Sequence, residues 1–86
     1  MTEQNSFEFE IIWPQSMEKF NIEWLEIQSP TGDFVVGPYH SPLVSVLKER
    51  SKLCFKKIGA LKPEILDVYG GIFKCMDNTA VVILDL

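Results

Sequence analysis

Apolar and polar residues alternate with a period of two along most of this chain, and that period fits strands and excludes helices. Phe7-Glu-Phe9-Glu-Ile11-Ile-Trp13 sets Phe7, Phe9, Ile11 and Trp13 on one face. Pro14 stops the run, and 14–17 reads as a turn. In Phe20-Asn-Ile22-Glu-Trp24-Leu25-Glu-Ile27 the apolar phase is even up to Trp24 and odd from Leu25 onward. A slip of one residue flips the buried face, so a bulge or bend is predicted near Trp24 and Leu25.

Short apolar runs follow at 34–36, 43–47, 53–55, 65–69, 72–76 and 79–84. Turn chemistry separates them. Residues 29–33 and 37–42 read as loops, the second carrying Pro38 and Pro42, which lack amide donors and restrict the residue before them. Residues 57–63 read as a surface connection, Gly70-Gly71 as a break, and Asp77-Asn78 as a two-residue hairpin turn. No segment keeps apolar spacings of three and four over a helix length, and 48–52 has room for one helical turn at most. The pattern predicts an all-β fold, a two-sheet β-sandwich or flattened barrel of about eight to ten short strands. With 86 residues, 1–86 is a single domain.

Charge and composition narrow the function. The net charge is −4 with one arginine, so nucleic acid is not an expected partner. The lysines from Lys48 to Lys57 read as a solvated strand edge. The opening Met1–Ser6 has neither the basic-then-apolar pattern of a secretory signal nor the arginines of a transit peptide, which predicts a cytoplasmic protein. No apolar run approaches the roughly 20 residues that span a bilayer. Cys54 and Cys75 lie in apolar runs with no Cys-x-x-Cys pair and a single histidine, so a zinc site lacks ligands. Two buried or half-buried thiols are expected, a disulfide being the alternative.

Residues able to do chemistry are few. His40 is the one candidate base for a serine or cysteine nucleophile, and no Gly-x-Ser-x-Gly elbow is present. Glu8, Glu10, Glu23 and Glu26 read as solvated charges, because alternation turns them outward. Gly70-Gly71 lacks the residues of a phosphate loop. No cofactor or metal is expected. The apolar residues exceed what one small sandwich hides, since Trp13, Trp24, Tyr39, Met76 and 81–86 do not all fit its centre. An exposed apolar patch marks a protein–protein surface, and the 29–45 segment is the loop region where contacts concentrate.

The run from Ser29 to Lys48 resembles the signature of the epsilon subunit of F-type ATP synthases, Glu-Gly-Glu-Leu-Gly-x-Leu-Pro-Gly-His-Ala-Pro-Leu-x-Thr-x-Leu-Lys. Gly32, Asp33, Pro38, His40, Pro42, Leu43, Leu47 and Lys48 fall in register. Ile65-Leu-Asp-Val-Tyr-Gly-Gly-Ile-Phe-Lys and Asp77-Asn-Thr-Ala-Val-Val-Ile-Leu-Asp85 resemble two later blocks of that family. The likeness spans roughly 7 to 86. It implies a non-catalytic β-sandwich at the foot of a central stalk, coupling the gamma subunit to the membrane c-ring during proton- or sodium-driven ATP synthesis. Carried over by position, Thr31, Gly32 and Asp33 meet the c-ring, and Tyr39, His40, Leu43 and Ser45 meet gamma. The implied location is the cytoplasmic face of a bacterial inner membrane, with membrane contact only through the complex. Tyr39 departs from the family's glycine, and no helical hairpin follows the sandwich, so its inhibitory and ATP-sensing roles are not carried over. The alternative is a free-standing β-sandwich that binds a small ligand or peptide in a closed apolar pocket.

Overall fold

The computed structural model describes residues 5–85; the expectations for the first four residues and for Leu86 lie outside them. Eight strands form β1 (Phe7–Trp13), β2 (Ser16–Ser29), β3 (Gly32–Val36), β4 (Leu43–Val46), β5 (Ser51–Lys57), β6 (Glu64–Val68), β7 (Gly71–Met76) and β8 (Thr79–Leu84). They hydrogen-bond in the order β4-β7-β8-β1-β2-β5-β6, with β3 also on β2. All pairs are antiparallel except β1 with β8.

The long strand β2 makes this one curled sheet behave as two layers. Its first half pairs with β1 from Ser16 to Ile22, and its second half with β3 from Leu25 to Ser29. The register against β5 shifts between Ile22 and Trp24, at the predicted phase slip. A bulge adds a residue to one strand and bends it, so the chain passes from one layer to the other while Ile22, Leu25 and Ile27 all stay buried. Phe9, Phe20 and Phe55 then meet at centroid distances of 5.2 to 5.7 Å, and Phe34 of β3 approaches Phe73 of β7 at 6.1 Å. Rings at these separations add to burial about 0.5–1.5 kcal/mol per pair.

Three local expectations change. Ser16 and Met17 are already strand, opposite Trp13 and Ile12, so the turn after Pro14 is tighter than 14–17. The 29–33 loop contracts to a turn because Ser29 Oγ donates to the Gly32 carbonyl at 2.6 Å, letting β3 start at Gly32. The lysine-rich strand β5 is not an edge: β2 and β6 flank it. Its lysines instead pair across strands, Lys52 with Asp67, Lys56 with Glu23 at 3.2 Å and Lys57 with Glu64 at 3.4 Å. The β7–β8 turn is as predicted, with Asp77 and Asn78 at φ 54° and 58°.

Candidate functional site

Strand register decides which side chains share the outer surface. On β4, β7, β8, β1 and the first half of β2 the inward residues are Leu43, Phe73, Val82, Ile11 and their alternates, so the residues between them face out. Following partners across the sheet gives Val46 opposite Ile72, Ile72 opposite Ile83, Ile83 opposite Ile12, and Ile12 opposite Met17. Five apolar side chains therefore form one row across five strands. Four are well exposed: Val46 59%, Ile72 49%, Ile83 48% and Met17 56%. Strand spacing of about 4.8 Å makes the row roughly 19 Å long. At the Met17 end it runs into an open depression of about 750 Å³ lined by Trp13, Pro14, Gln15, Ser16, Met17 and Glu18.

The next row out is mixed: Val44, Lys74, Val81, Glu10 and Lys19. The outer surface of the other layer is mixed throughout. Val35, Glu26, Cys54 and Ile65 form one row there, and Asp33 and Gln28 share another with the Lys52–Asp67 pair. Only the β4–β7–β8–β1–β2 face offers an uninterrupted apolar line among the described residues.

The loop residues named from the sequence separate into two groups at opposite ends of β3. Thr31, Gly32 and Asp33 are exposed at its start, next to the turn closed by Ser29. Beyond its other end, Tyr39 is 63% exposed with φ 60°, while its amide donates to Asn78 Oδ1 at 2.7 Å. The loop thus keeps the left-handed backbone that glycine favours, although the residue is tyrosine. Leu43 and Ser45 are half-buried, Leu43 packing against the core, and their strand shows Val44 and Val46 outward instead.

His40 is half-buried, and its Nδ1 donates to the Ser41 carbonyl at 2.8 Å. Cys75 Sγ donates to the same oxygen at 3.3 Å and lies 3.7 Å from Nδ1. Burial pushes the Cys75 thiol above its ordinary pKa, with a backbone hydrogen bond from Leu43 pulling weakly the other way. An activated thiol needs the opposite shift. Two donors converging on one carbonyl fix the loop between β3 and β4 to β7. Cys54 is half-buried, and both cysteines are free thiols. Its pKa also lies above the ordinary value, through burial and the nearby Glu26 carboxylate.

No protein-family model and no curated protein matches the sequence. Solved structures do. A chain of the Euglena gracilis mitochondrial ATP synthase, in its OSCP/F1/c-ring assembly, superposes with a TM-score of 0.85 at 14% identity over 93% of this chain. The fold is one found in rotary ATP synthases. A chain of the Tetrahymena thermophila mitochondrial ATP synthase, from its central stalk and c-ring, superposes with a TM-score of 0.76 at 15% identity over 92% of this chain. The present chain spans 51% of the Euglena chain and 63% of the Tetrahymena chain. The expected sandwich is therefore the observed fold.

Sequence reasoning expected an exposed apolar patch but did not place this row. One signal for it was present: Ile11-Ile12 and 80–84 are apolar in both phases of the alternation, so both sides of those strands carry apolar groups. Assembling the row, however, requires the pairing of strands far apart in the chain.

Proposed function

We propose that this chain is a non-catalytic central-stalk subunit of a rotary F-type ATP synthase, coupling gamma to the c-ring during proton- or sodium-driven ATP synthesis. The observation that carries the reading is the 0.85 superposition on a chain of an F1/c-ring assembly. The three sequence blocks in epsilon-subunit register support it independently of the coordinates. The exposed row from Val46 to Met17 supports it physically, because an uninterrupted apolar line on a small sandwich calls for a polypeptide to cover it.

In this reading Tyr39 and His40, with the exposed Val44 and Val46 of β4, are the gamma side. Leu43 and Ser45 set the position of that strand from within. Thr31, Gly32 and Asp33 are the c-ring side, and their place at the far end of β3 lets both partners bind at once. The subunit transmits torque by shape and makes or breaks no bond. It acts at the cytoplasmic face of a bacterial inner membrane, as part of the complex. Co-expression with the cognate gamma subunit tests this. Co-elution is expected, and Val46→Asp is expected to weaken it while leaving the fold intact. Failure of the unmodified chain to co-elute would overturn the proposal.

A further inference from the structure

The outer face of β4, β7, β8, β1 and β2 is complementary to itself. Three rows run across it in register, with β8 in the middle: Val46, Ile72, Ile83, Ile12 and Met17; then Val44, Lys74, Val81, Glu10 and Lys19; then Met76, Thr79, Glu8 and Asn21 from β7 to β2. Consider a second copy laid face to face and related by a two-fold axis running along β8. That rotation exchanges β7 with β1 and β4 with β2 but leaves each row on its own level. Ile83 then meets the partner's Ile83, Ile72 meets the partner's Ile12, and Val46 meets the partner's Met17. On the second level Lys74 meets the partner's Glu10, and by symmetry Glu10 meets the partner's Lys74. Val44 lies under the aliphatic stem of the partner's Lys19, a contact long basic side chains make readily.

The alternative in-plane axis, across the strands, keeps each strand opposite its own copy, so Lys74 of β7 never meets the partner's Glu10 of β1. The axis along β8 joins the apolar row to itself and Lys74 to Glu10, while on the third level Glu8 faces the partner's Met76. Among the described residues Lys74 and Glu10 form no ion pair, since the ion pairs there use Lys19, Lys52, Lys56 and Lys57 with Glu8, Asp67, Glu23 and Glu64. Lys19 turns to Glu8 at 4.0 Å, although Glu10 is its direct cross-strand partner. Aligned sheets pack about 10 Å apart and cross near −30°, so partners next to the axis, those on β7, β8 and β1, keep their correspondence.

We propose that the chain forms an isologous homodimer through this face, with Lys74 and Glu10 as a reciprocal pair of intersubunit ion pairs. The dimer occupies the face that the stalk reading gives to gamma, so it is the state of the free chain, and gamma and a second copy compete for that face.

Sedimentation equilibrium on the full chain, in low salt and up to about 1 mM, tests it where even a marginal interface is populated. A monomer–dimer equilibrium is expected. Lys74→Glu and Glu10→Lys should each raise the dissociation constant at least about tenfold, because each puts like charges together at two symmetric places. The double variant Lys74→Glu with Glu10→Lys should return to within about threefold of the original value, since both pairs are re-formed with reversed sign. Ile83→Asp should leave monomer only. All three positions are outward-facing, and circular dichroism melts verify that each variant folds. A monomer at every concentration would overturn the proposal, as would a dimer indifferent to the single reversals or not restored by the double one.

Discussion

The backbone amide of Tyr39 donates to the side chain of Asn78 across 39 residues of sequence, at 2.7 Å. Asn78 also donates from Nδ2 to the Ser6 carbonyl at 3.2 Å, so one amide side chain ties the Tyr39 loop, the β7–β8 turn and the approach to β1 together. It does so from a left-handed backbone, φ 58°, that asparagine tolerates well. Asn78→Ala removes both bonds and the tolerance, and should cost about 1–3 kcal/mol in urea unfolding. Asn78→Gly keeps the backbone freedom and loses the bonds, so it should fall between the two.

Tyr39→Gly sets two opposing terms against each other. Glycine relieves the cost of a left-handed tyrosine, roughly 1–2 kcal/mol, but adds freedom to the unfolded chain worth about 0.5–1 kcal/mol. Stability should therefore stay level or rise by no more than about 1.5 kcal/mol. Binding to gamma should weaken, because the exposed ring is gone. A melt and a co-elution assay on the same sample separate the two effects.

Gly71 is a position where any side chain collides. A Cβ there would stand 2.2 Å from the Ile83 carbonyl oxygen, and the backbone is at φ 149°. Since that oxygen belongs to a paired strand, Gly71→Ala should destabilise by about 3 kcal/mol or more. Gly59→Ala provides the contrast. It has nothing within 4 Å and differs only in a φ of 81°, so about 1 kcal/mol is expected. Urea unfolding of both variants checks the difference.

Burial holds the Cys75 thiol above its ordinary pKa. Between the unfolded and folded values the native state keeps a proton that the unfolded state has released. Its contribution is thus fully present below the unfolded thiol pKa and declines as pH rises from there through the folded value. Cys75→Ala should be less stable at neutral pH through lost packing, yet show a shallower decline on the alkaline side. Thermal melts from neutral to alkaline pH, with the unmodified chain alongside, test the slope.

Legibility from sequence followed the range of the interaction concerned. The bulge near Trp24 was readable because a phase change is a property of adjacent residues, and the Asp77-Asn78 turn because its chemistry is local. The position of β5 was not readable. Lysines flanking an apolar run look the same at an edge and on the outer surface of an interior strand, and the carboxylates that pair with them, Glu23, Glu64 and Asp67, come from other strands. Likewise Leu43 and Ser45 were picked by position in a motif. Which side of β4 faces out depends on its pairing with β7, about 30 residues later. The apolar row is the extreme case, since it exists only once five strands are aligned.

The parallel pairing of β1 with β8 has a temporal meaning as well. Strand β1 waits for β8, made about 70 residues later, as its permanent neighbour, and β8 fills the gap between β7 and β1. Until β8 is in place, β7 and β1 each have a raw edge able to recruit a stranger. Partly folded chains are therefore open to misassembly until β8 inserts, and that one insertion closes both edges together.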